Sequence, residues 1–181
     1  MKINLLIIPF LALFLSGCDN KANNDANVTK AASAQSQSAS LEAPFELTLM
    51  DESKLKLQKF SDGFKVEGND EAILFNFFAT WCPPCRAEMP ELNEFAKKHE
   101  GEVTFYAVNL QEPKDTVDKF LKDNGYTMPV LLDLKGEAAD TYKVRAIPTT
   151  YVIDRDGKIL LKKIGGTTAA ELETALTRAA K

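Results

Sequence analysis

Cys82 and Cys85 stand three positions apart in Trp81-Cys82-Pro83-Pro84-Cys85. Two thiols at that spacing read as a redox pair, joined as one disulfide and parted again by two electrons. A purely stabilising crosslink is the poorer reading, because closing so short a loop removes little entropy from the unfolded chain. A metal half-site lacks partners: there is no second C-x-x-C, and the sole histidine, His99, ends a charged stretch and reads as solvated. Glu88 follows Cys85 by three residues, which puts both on one face of a helix. A carboxyl there can hold or accept the proton of a buried thiol, provided partial burial raises its pKa toward neutrality.

The elements that must position these groups are legible around them. Ala72-Ile73-Leu74-Phe75-Asn76-Phe77-Phe78-Ala79 reads as a strand buried on both faces. Arg86 to Lys98 carries Met89, Leu92 and Phe95 at helical spacing. Cys82 therefore sits where a strand ends and a helix begins, and free backbone N–H groups favour a thiolate there. It is expected to be the exposed attacking thiol, with Cys85 one turn inside as the resolving thiol. Pro83 and Pro84 suit the first helical turn, and Pro90 is expected to kink the helix.

Elsewhere, Phe45 to Leu49 and Leu55 to Leu57 predict an N-terminal hairpin, and Val103 to Val108 a strong strand. Asp115 to Asn124 reads as an amphipathic helix stopped by Gly125. A short strand (129–132), a short helix (137–143), a hairpin (149–164) and a closing helix (169–180) complete the order. Strands separated by helices imply a parallel portion of sheet covered on both sides. The expected fold is α/β, a three-layer α/β/α sandwich with a central mixed sheet.

The first 17 residues stand apart. Lys2 precedes an apolar stretch from Ile3 to Leu15, too short for a comfortable membrane span and ending in small residues. Leu15-Ser16-Gly17-Cys18 resembles a bacterial lipobox, which implies a signal peptide over 1–17 and a lipid on Cys18. That assignment also disposes of the odd thiol among three cysteines. Residues 18–43 are rich in Asn, Ala, Ser, Gln and Lys and read as a flexible tether. Such a coil spans on the order of 28 Å. The globular domain is 44–181. With 22 basic and 26 acidic residues the chain carries −4, which argues against nucleic acid as a partner.

The segment Asn76 to Leu92 is similar to the TlpA/ResA branch, related to DsbE/CcmG, of the thioredoxin superfamily. The resemblance runs over about 44–181 and implies a thioredoxin-like fold and thiol–disulfide oxidoreductase activity without metal or organic cofactor. It implies acid/base work for Glu88, because that branch carries a glutamate there, whereas thioredoxins carry a buried aspartate where this chain has Asn76. It also implies a cis peptide at Ile147-Pro148 beside the cysteines, with Trp81, Ile147 and Pro148 meeting substrate. The implied direction is reduction of a protein disulfide in the cell envelope, an apocytochrome c in cytochrome c maturation, with recharging by a membrane electron relay of the CcdA/DsbD type. Asp19 after the lipidated cysteine points to the periplasmic face of the inner membrane. A general envelope reductase or isomerase would use the same residues. The alternative from another class is a thioredoxin-fold copper metallochaperone. Sco-like examples carry C-x-x-x-C and a distal ligand histidine, against C-x-x-C and His99 here.

Overall fold

The computed structural model describes residues 45–59 and 63–179. The expected leader, Cys18 and the tether lie outside the described residues. Among the described residues no helix is long and apolar enough to cross a membrane.

The chain enters on β1 (Phe45–Leu49), which pairs antiparallel with β2 (Lys54–Lys59) in the expected hairpin. A third strand, β3 (Phe64–Val66), extends it; three residues give no usable alternation, so the sequence did not announce it. β4 (Ala72–Phe78), α1 (Pro83–Lys98), β5 (Val103–Leu110), α2 (Lys114–Asn124) and β6 (Val130–Asp133) follow. The chain then runs through α3 (Glu137–Thr141), β7 (Thr149–Ile153), β8 (Ile159–Ile164) and α4 (Ala169–Ala179). α2 ends, as expected, on a left-handed Gly125. α1 stays a single element through Pro90.

Among the described residues the strands form one eight-stranded sheet in the order β3-β2-β1-β6-β5-β4-β7-β8. β4, β5 and β6 are parallel, while β1 and β7 run against them, so the sheet is mixed. Alternation along β4 divides the core. Leu74 and Phe78 pack with Met89 and Leu92 of α1, Val117 of α2 and Leu172 of α4. Ile73, Phe75 and Phe77 pack on the other face with Leu47, Leu57, Ala138 of α3 and Tyr142. Each large side chain buried this way contributes about 1.5–3 kcal/mol.

This topology gathers the carboxyl ends of β4, β5 and β6 at one end of the sheet. β8 is antiparallel to β7 and so ends there too. β1 starts at that same end, because it runs against β6, with Thr48 paired to Leu132.

The start of β3 also meets the turn that joins β7 to β8. The Phe64 N–H donates to the Gly157 carbonyl at 2.7 Å, Gly63 bridges Lys158, and the Phe64 ring stacks on Tyr142 at 3.8 Å. Gly63 has no room for a side chain, since a Cβ there would lie 1.6 Å from the Gly157 carbonyl oxygen. Gly63→Ala is therefore expected to cost about 3 kcal/mol, the upper range of an overpacked contact. A urea midpoint equal to that of the parent chain would show that the two segments part without loss.

Candidate active site

α1 opens on Cys82, whose backbone is extended (φ −82°, ψ 110°) and whose Sγ lies 3.4 Å from the Cys85 backbone nitrogen. An N-cap acceptor ordinarily meets the free N–H groups of the first turn. Here Pro83 and Pro84 occupy the first two positions and carry no N–H, so the Cys85 N–H is the first helical donor that the sulfur meets. Cys82 and Cys85 are joined as a disulfide with their Cα atoms 5.3 Å apart.

Cys82 is not the exposed thiol that its position suggested. It retains 3% of its surface, and Cys85 none. The Cys82 sulfur lies 3.9 Å from the Ile147 carbonyl oxygen, in the loop with the cis Ile147–Pro148 bond, and the residue packs into the cluster of Phe78, Ala79 and Met89. What faces solvent is the skirt around it: Pro83, Pro84 and Trp81, the last 69% exposed.

Glu88 is buried one turn beyond Cys85, under the sheet face of α1. Its Oε1 accepts from Asn76 Nδ2 on β4 at 2.8 Å, and its Oε2 accepts from the Thr167 N–H at 2.7 Å. Asn76 also donates to Thr150 Oγ1 on β7 at 3.0 Å. Burial pushes the Glu88 carboxyl above its ordinary value, and nearby Glu91 adds to this; the two hydrogen bonds and the charge of Lys163 oppose it. The segment that meets Glu88 also touches the proline loop, since the Gly165 N–H donates to the Pro148 carbonyl at 2.8 Å. Trp81, Cys82, Cys85, Glu88, Ile147 and Pro148 are thus brought to one end of the sheet. This arrangement can hold a thiolate at Cys82 and a proton near Cys85.

A second buried carboxyl escaped the sequence reading. Glu112, in the loop after β5, accepts from the Thr80 N–H at 2.7 Å, from Thr80 Oγ1 at 2.5 Å and from Asn109 Nδ2 at 2.6 Å. It fixes the backbone two residues ahead of Cys82. The available signal was an acid closing a strand's carboxyl end, where α/β sheets collect their functional groups.

His99 is also unlike its expectation. It is buried rather than solvated, because it falls four residues after Phe95 on the same helix face and packs against that ring, tilted, with centroids 4.4 Å apart. Its two ring nitrogens lie 2.9 Å from Glu102 Oε2 and Glu173 Oε1, tying the end of α1 to α4.

A mixed sheet with helices on both faces, and a Cys-x-x-Cys helix start facing a cis-proline loop, define a thioredoxin-like redox domain. Residues 40–162 match the AhpC/TSA family, and the chain belongs to it. Sporulation thiol-disulfide oxidoreductase A of Bacillus subtilis (strain 168) is 34% identical over 119 residues, covering 60% of this chain and 72% of that protein. Thiol-disulfide oxidoreductase ResA of Bacillus thuringiensis subsp. konkukian is 36% identical over 121 residues, 65% of this chain and 70% of that protein. The crystal structure of StoA from Bacillus subtilis superposes with a TM-score of 0.61 at 29% identity, over 74% of this chain and 96% of that one. The chain is a thiol–disulfide oxidoreductase of this type, acting on disulfide-containing proteins.

Proposed function

We propose that the chain reduces protein disulfides in the bacterial cell envelope, held at the membrane by a lipid on Cys18, with Cys82 as nucleophile, Cys85 as resolving thiol and Glu88 as acid/base. The observation that carries the chemical part is the buried Glu88 carboxyl, one turn from Cys85, with its pKa raised by burial. A carboxyl whose burial favours its protonated form is suited to take up the proton of a thiol.

In the forward direction the Cys82 thiolate attacks one sulfur of the client disulfide, forming a mixed disulfide and releasing one client thiolate, which takes a proton. Cys85 then yields its proton to Glu88 and attacks the Cys82 sulfur. The second client thiol leaves, and the Cys82–Cys85 disulfide remains. Two electrons have passed to the client. Trp81, Ile147 and Pro148 form the surface against which the client lies. A dithiol relay of the CcdA/DsbD type returns the chain to its reduced form, and an apocytochrome c is the client that the family resemblance favours.

Two features support work at a membrane. The leader and Cys18 read as a lipoprotein signal, with Asp19 favouring the periplasmic face of an inner membrane. The chain also enters the fold at the redox end of the sheet, through β1. The copper-binding reading is disfavoured by His99, which sits at the far end of the 16-residue α1, about 24 Å along the helix from Cys82, and is engaged by two carboxylates.

Cys85→Ser tests the proposal, because it leaves Cys82 able to attack and removes the group that resolves the mixed disulfide. Expression of this variant in envelope-competent bacteria is expected to accumulate client proteins covalently on Cys82, released by reductant. Capture of c-type apocytochromes would establish the client, whereas a broad mixture would favour a general reductase. No covalent adduct would refute Cys82 as nucleophile.

A further inference from the structure

Among the described residues three large apolar side chains are left exposed: Trp81 at 69%, Leu134 at 57% and Ile164 at 61%. All three lie at the redox end of the sheet. Trp81 follows β4, Leu134 follows β6, and Ile164 closes β8, whose carboxyl end points the same way. Isolated exposed hydrophobics need no explanation, but a set confined to one functional end does.

Their order across the sheet is informative. β6 and β4 are separated by β5, and β4 and β8 by β7. At about 4.8 Å per strand, Leu134 and Ile164 flank the cysteine strand at roughly 10 Å on either side. The register agrees in height, since Asp133 pairs with Leu110, one residue beyond Asn109, which pairs with Phe78. Ile164 lies on the cis-proline side, where Gly165 bonds Pro148. Leu134 lies on the other side, across the loop carrying Gln111.

From this placement we infer that a client is engaged on both sides of its disulfide, as an extended segment lying across the strand ends, with Leu134 as the apolar anchor on the side away from Pro148. The inference rests on the proposed role of Cys82 and names the recognition that accompanies it. An extended chain advances about 3.3 Å per residue, so a rim of roughly 19 Å spans about six residues. The client that fits has apolar side chains two to four residues before and after the attacked cysteine. The acids of this end do not compete: Asp133 is buried on the α3 amides, Glu112 is held by Thr80 and Asn109, and Glu137 and Asp140 pair with Lys135 and Arg145. A charged client segment gains nothing from the two flanking sites; a leucine or valine does.

The test uses two disulfide-bridged peptides that differ only in carrying leucine or serine at those flanking positions. The parent chain is expected to reduce the leucine peptide faster. In Leu134→Ser, the ratio of kcat/KM between leucine and serine peptides is expected to fall about tenfold, the scale of one lost leucine contact. Ile164→Ser should lower the same ratio, and the double substitution should remove most of it. An unchanged ratio in Leu134→Ser would overturn the inference, as would a parent chain that reduces both peptides equally. A parent chain that reduces neither peptide nor a small aromatic disulfide would instead refute the redox reading of Cys82.

Discussion

Glu88→Gln is expected to slow turnover of a protein disulfide at pH 7 by about a hundredfold or more, the lower bound of a lost general acid–base contribution. The block should fall on release of the mixed disulfide, leaving the first attack by Cys82 largely intact. In the parent chain the release rate should climb with pH as Glu88 ionises and becomes able to take the Cys85 proton. In the variant that limb should disappear, and release should follow the cysteine alone. Alkylation of Cys85 against pH reads the same change independently of any client. Turnover and a Cys85 titration equal to those of the parent would remove Glu88 from the mechanism.

Folding and catalysis can be separated at this position. Because burial raises the Glu88 pKa, the native state binds that proton more tightly than the unfolded chain does. The associated stability is complete below the unfolded value of about 4.3 and is lost as pH rises through the raised native value. A glutamine cannot ionise, so the variant should lose less stability as pH rises and should not be weaker at neutral pH. Its hydrogen bonds can also be met. The new carbonyl can accept from Thr167, while the new amide faces Asn76, whose Oδ1 has no partner among the described residues and can turn to accept. A loss of turnover in a chain with an undiminished urea midpoint is therefore chemical in origin.

Glu112→Ala is expected to cost stability instead. It would strand the Thr80 N–H, the Thr80 hydroxyl and the Asn109 amide in a buried setting. At about 1–3 kcal/mol for each buried donor left unmet, and allowing for water entry, the sum is about 4 kcal/mol. For a domain of this size that lowers Tm by roughly 12 °C. Because Thr80 lies two residues ahead of Cys82, the reduction of even a small disulfide should slow as well. Glu112→Gln, keeping one acceptor, should fall between. A melting point within about two or three degrees of the parent would mean that the Thr80 loop is held by other contacts.

The difference between Glu88 and Glu112 marks how far the sequence could be read. Glu88 was visible because its partner in the argument, Cys85, is a helical turn away, and helical spacing is written in consecutive residues. Glu112 acts on Thr80 and Asn109, and the first of these meets it only through the parallel pairing of β4 with β5. No local pattern records that meeting. His99 failed for a related reason: its charged neighbours suggested solvent, while its place four residues after Phe95 and the packing of α4 put it inside. The order of elements was legible because strands and helices here alternate cleanly. β3 was not, since its three residues derive their structure from β2 and from the Gly157 turn across the sheet.

The two prolines between the sulfurs have a bearing on the amides that Cys82 meets. A helix start that offers all its amide N–H groups stabilises a reduced, ionised cysteine and so turns the couple into an oxidant. In this chain the first two offers are withdrawn by Pro83 and Pro84, and Cys85 supplies the first that remains. Among the first three helical positions the Cys82 sulfur is left with a single amide donor. The charge a reduced Cys82 carries therefore rests on the Cys85 amide more than on the rest of the helix start.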